Sequence, residues 1–149
     1  MKRSERLDVV QQVTARTERG HAERVAGAER HLTEMQEKLG ALERYRSEYE
    51  SGFAARAGTG LDVVGVRDFQ TFLARLGEAL TQQGELVNLA RAALETERTR
   101  WREAAQRAHV VDTLAERWHS EEMRAADRRD QQENDELSQQ RAALREQTK

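Results

Sequence analysis

The sequence predicts an all-α protein, a long two-helix antiparallel coiled-coil hairpin whose C-terminal helix overhangs its partner. Three observations carry this. Charged residues make up 35% of the chain, aromatics only 5%, and proline is absent, while Ala, Leu, Glu, Arg and Gln, which lose little entropy in a helix, dominate. Apolar residues recur at alternating steps of three and four through most of the length. One glycine-rich stretch, AGTGLDVVGVRDFQTFLARLG (57–77), stands between two such rows.

The first row runs Val25, Ala28, Leu32, Met35, Leu39, Leu42, Tyr49 and Phe53. Arg46 interrupts it, and an Arg stem can lie along a seam with its head in water. Leu7, Val10 and Val13 suggest an earlier apolar face, whereas residues 14–24 are weakly apolar. One helix is expected over about 4–54, with a looser or register-shifted section near Gly20.

The second row is longer. Val66, Phe69, Leu73, Leu76, Leu80, Gln83, Val87, Ala90, Leu94, Glu97, Trp101, Ala104, Ala108, Val111, Ala115 and Trp118 keep heptad spacing, with Gln83 and Glu97 the polar members. Asp62 is a good N-cap, so a helix over about 63–146 follows a turn at about 55–62. Past Trp118 the row thins to Met123, Ala125, Leu137 and Leu144.

A short connection makes two such helices fold back antiparallel, giving a single domain over 1–149. At 1.5 Å per residue the first helix spans about 75 Å and the second more than about 120 Å. Pairing outward from the turn sets Leu7 level with Val110 to Ala115 and leaves roughly the last 30 residues projecting from a rod.

The glycines do not cradle a phosphate. Gly58 and Gly60 lack the third glycine of a dinucleotide fingerprint, since Val63 stands there, and no strand precedes them. A Gly-Lys-Ser/Thr sequence is also absent. The four histidines, His21, His31, His109 and His119, show no metal-ligand spacing, so no metal or cofactor is expected. Carboxylates on a solvated hairpin are not desolvated, and two helices enclose no apolar pocket, so no enzyme is expected either.

Twenty-five basic and 27 acidic residues are interspersed along the chain, which offers nucleic acid no basic run. Cysteine is absent, which suits a reducing compartment. Neither a signal peptide nor a membrane span is expected, which predicts a cytoplasmic chain.

Aromatics off the seam are the most informative side chains. Tyr45 and Phe72 each precede a seam position and count to nearly the same height above the turn. With Leu42, Tyr49 and Leu76 they predict an apolar cluster that either lids the seam or docks a partner. Trp101 is expected in the seam. Trp118, where the first helix runs out, is expected half exposed.

At these residues the chain resembles the flagellar export protein FliJ family along its full length. The matching features are Leu39, Leu42, Tyr45, Glu48 and Tyr49; Gly58, Gly60 and Leu61; the run from Val66 to Leu80; Trp101, Arg102 and Glu103; and a tail with Arg128, Asp130, Gln131, Asp135, Glu136 and Arg141. The resemblance implies a stalk that inserts into the hexameric flagellar export ATPase and promotes its assembly and activity. It also implies contact with the export gate and handling of export chaperones, at the inner face of the cell membrane. By that resemblance Leu42, Tyr45, Tyr49, Phe72 and Leu76 face the gate, and Trp118, Arg128, Asp130, Gln131, Asp135 and Glu136 enter the ring. Two alternatives share the fold: the stalk of a virulence-type secretion system, and a coiled-coil chaperone or scaffold without effect on ATP hydrolysis. A nucleic-acid arm, like the helical hairpin of some tRNA synthetases, fits the mixed charge poorly.

Overall fold

The computed structural model describes residues 2–148. They form two helices, α1 (Arg3–Ala57) and α2 (Val63–Gln147), packed as an antiparallel helical hairpin with no strand among the described residues. The turn is tighter than the sequence suggests, covering 58–62. Thr59 N–H donates to the Arg56 carbonyl at 2.9 Å, and Gly60 takes φ 92°, a conformation that glycine adopts without a Cβ penalty. Asp62 is the N-cap: its Oδ1 accepts from Gly65 N–H at 2.8 Å, satisfying one free donor of the first turn of α2. A Cβ at Gly65 would stand 2.9 Å from Leu61 Cδ2 and 3.1 Å from that Oδ1, so the cap's closeness favours glycine there.

The residues group into two compact units, Arg19–Glu103 and the flanking segments up to Glu18 and from Ala104. The core of the Arg19–Glu103 unit is Met35, Val87 and Ala90 with Leu32 and Leu39 against it; Leu76 and Leu94 are buried too. Gln83 is buried and satisfied, its Nε2 donating to the Met35 carbonyl at 3.0 Å. In the other unit Leu7, Ala104, Ala108 and Ala115 are buried. No described side chain is wholly sealed, as expected when only two helices share a seam.

Three expectations need correction. First, α1 is unbroken through Gly20. Its buried and half-buried positions Ser4, Leu7, Gln11, Thr14, Glu18, His21 and Val25 keep the heptad frame without a shift. The seam there is polar rather than displaced. Val10 and Val13 are exposed because steps of three from Leu7 rotate about 60° off the face each time. Second, Trp101 is exposed at 37%, since an indole outgrows the width of a two-helix seam. Third, Leu7 shares a groove with Trp118, about one turn past the expected Val110 to Ala115. Ser4 and Glu122 close the seam one layer further on, where Ser4 Oγ donates to Glu122 Oε2 at 2.6 Å.

Candidate functional site: an aromatic ladder near the turn

All three Phe and both Tyr of the chain gather in the Arg19–Glu103 unit. Tyr45, Tyr49 and Phe53 are spaced by four along α1, so they stack on one face. Phe69 and Phe72, three apart, answer from α2. Tyr45 meets Phe72 edge-on with centroids 5.9 Å apart, and Phe72 lies 4.3 Å from Tyr49. Tyr49 stacks on Phe69 at 5.2 Å, and Phe53 closes the ladder against Phe69. Such ring pairs add about 0.5–1.5 kcal/mol each beyond burial, which stiffens the hairpin where it turns.

Of the predicted cluster, the rings of Tyr45, Tyr49 and Phe72 come together, and the five members differ in exposure. Tyr45 is half exposed. Leu42, Tyr49 and Phe72 are half-buried, each presenting an edge, while Leu76 is buried in the core. Tyr45 is therefore the accessible ring of the set, and Leu76 is withdrawn from solvent. Sequence reasoning placed Phe53 and Phe69 on the seam without joining them to the cluster; the four-residue spacing of 45, 49 and 53 was the available signal. A groove lined by Glu48, Tyr49, Phe53, Arg56, Asp68 and Phe69 adjoins the ladder, with charges of both signs.

The second predicted set lies in the other unit. Trp118 is half-buried, with the Arg3 guanidinium 4.4 Å from its ring centroid, a cation–π arrangement. Arg128, Asp130, Gln131, Asp135 and Glu136 are exposed on α2, where no residue of α1 covers them. They do not form one patch. Arg128, Gln131 and Asp135 follow the three-four spacing of one face, whereas Asp130 falls on the opposite side. Among the described residues no three His, Cys, Asp or Glu side chains gather as a metal ion would require, and no helix is long and apolar enough to cross a membrane.

These features define a class: a helical hairpin of coiled-coil type with an exposed aromatic edge beside its turn. The sequence comparisons name the family. The model of the family described as Flagellar FliJ protein matches residues 2–147. A Flagellar FliJ protein of Escherichia coli (strain K12) is 30% identical over 116 residues, covering 78% of each chain. The chain belongs to the flagellar FliJ protein family. No solved structure matches it significantly.

Proposed function

We propose that the chain is the stalk component of the flagellar type III protein export apparatus, joining the hexameric export ATPase to the export gate. In this reading the paired termini, with Trp118 and the tail residues Arg128, Asp130, Gln131, Asp135 and Glu136, enter the ATPase ring. They promote its assembly and hydrolysis. The edge formed by Leu42, Tyr45, Tyr49 and Phe72, together with Leu76, contacts the gate, and export chaperones are further partners. The chain then works in the cytoplasm, held peripherally at the inner face of the membrane by those partners. The family match across residues 2–147 carries the reading, and the half-exposed Tyr45 gives it a surface.

A hairpin end inside a sixfold ring contacts subunits unequally. It shifts a subunit toward the closed, hydrolysing state only through contacts that differ between the two states. The test is turnover of the cognate export ATPase with and without the purified chain. Turnover is expected to rise with the intact chain and to stay basal when residues from 126 onward are deleted. A Tyr45→Ala, Phe72→Ala double variant is expected to keep the ATPase in a pull-down and lose the gate. Unchanged turnover with the intact chain defeats the ATPase half of the proposal and leaves a scaffold that only holds partners apart.

A further inference from the structure

Charges that alternate along the sequence separate by side in the unit formed by the segments up to Glu18 and from Ala104. Two contacts define the sides. Arg3 pairs with Glu121 at 3.8 Å across one flank of the seam, and Asp8 meets His119 at 3.3 Å across the other. Heptad counting from these contacts assigns the remaining flank and outer positions. Over the paired length, as far as Ala125, the Arg3 side carries Arg3, Arg6, Arg107, Arg117 and Arg124, with Glu121 its one acid, already paired to Arg3. The Asp8 side carries Glu5, Asp8, Asp112 and Glu116 with no Arg or Lys.

The arginine side is also the aliphatic one. Val10 is 45% exposed, Val13 54% and Val110 59%, with Leu114 half-buried beside them. Val10 shares a groove with Arg3, Arg6, Leu7 and Trp118, and Val110 and Leu114 share another with Arg117. Val10 and Val13 on α1 and Val110 and Leu114 on α2 are spaced by three and four. They flank the hairpin's groove as the two walls of a seat for a third helix.

We propose that this side docks a helix of a protein partner whose apolar stripe is edged by Asp or Glu, completing a local three-helix bundle. The occupant follows from charge. A second copy seated symmetrically would set five arginines against five, a like-charge contact that disfavours self-pairing. A helix edged by carboxylates instead satisfies Arg6, Arg107, Arg117 and Arg124 while covering the valines. The four carboxylates on the opposite side reject the same partner, so docking is one-sided. The inference rests on the side chains of this unit and does not depend on the ATPase or gate assignments.

The test uses the full chain carrying Trp101→Phe, which leaves Trp118, in the Val10 groove, as the sole tryptophan. Two synthetic helical peptides of about 21 residues share one leucine stripe, edged by Glu in one and by Lys in the other. Binding is read by Trp118 emission and by calorimetry. The Glu-edged peptide is expected to bind at least roughly ten-fold more tightly, with the gap narrowing as salt is added. Val10→Ser with Val110→Ser is expected to weaken that binding about ten-fold without moving the melting curve, because both side chains are exposed. Arg6→Glu with Arg117→Glu is expected to reverse the preference. Equal binding of the two peptides, indifference to the valine changes, or tighter binding of an oligonucleotide or of phosphatidylglycerol vesicles than of the Glu-edged peptide would overturn the proposal.

Discussion

Ser4 and Glu122 hold the outermost layer of the seam through two hydrogen bonds: Ser4 Oγ donates to Glu122 Oε2 at 2.6 Å and Ser4 N–H to Oε1 at 3.4 Å. The Ser4 side-chain hydrogen bond is the main cause that holds the Glu122 carboxyl below its ordinary value of 4.5; Lys2 and His119 add smaller pulls, and desolvation opposes them. A depressed carboxylate favours the folded state above its unfolded pKa, and that contribution fades as pH falls through the folded one. The layer is therefore expected to open on acidification below 4.5 and to stay closed at neutral pH. In Ser4→Ala the Glu122 titration, followed by carboxyl-carbon NMR, should move up toward 4.5. A titration unchanged by Ser4→Ala would show that the hydroxyl is not the cause. At the turn, Asp62→Ala removes the N-cap acceptor of Gly65 N–H. It should cost about 1 kcal/mol in chemical denaturation, with Asp62→Asn close to neutral.

Along the helices, two polar residues occupy equivalent seam positions with different outcomes. Gln83 is satisfied by the Met35 carbonyl. Two heptads further along each helix, the same register brings Glu97 level with His21. There Glu97 Oε2 and His21 Nδ1 are both buried without a partner, although Glu97 Oε1 is held by Arg100 at 3.1 Å. An unsatisfied buried polar atom costs about 1–3 kcal/mol, whereas the lost pair with a half-exposed arginine is worth well under about 1 kcal/mol. Glu97→Leu is accordingly expected to stabilise the chain by about 1 kcal/mol, a rise of roughly 3 °C in Tm by calorimetry; a lower Tm would mean the carboxylate is satisfied after all. This layer also marks how far the sequence could be read. From Val25 to Phe53 and from Val66 to Leu94 each seam position is aliphatic, aromatic or one of two polar exceptions, so hydropathy alone finds the frame. From Ser4 to His21 it is held by Gln11, Thr14 and Glu18, packed against small residues such as Ala104 and Ala108. Side-chain size and hydrogen bonding position those residues, and hydropathy does not report either. The aromatic ladder was legible in the spacing of its rings and the arginine side was not, because segregation across a helix pair requires knowing which flanks face together.

At the scale of the whole molecule, stability rests on a narrow set of residues. The ion pairs and charged hydrogen bonds are mostly exposed, including Lys38–Glu34, Arg98–Glu29 and Arg102–Glu95, and each contributes little in water. Cohesion therefore comes from the narrow seam and the aromatic ladder, and the seam ends at Glu122 and the half-buried Ala125. From Ala126 to the end of α2 every described residue is exposed. That segment adds helix without adding burial, so it is held by helix propensity and continuity with the paired part of α2 rather than by packing. Deleting residues from 126 onward should thus lower the circular-dichroism helix signal roughly in proportion to the turns removed while leaving Tm within about 1 °C. A fall of several degrees would show that the tail packs against the hairpin. An unchanged Tm together with lost ATPase stimulation would separate the two roles: the chain is held together by its seam, and the tail is kept for a surface supplied by another protein.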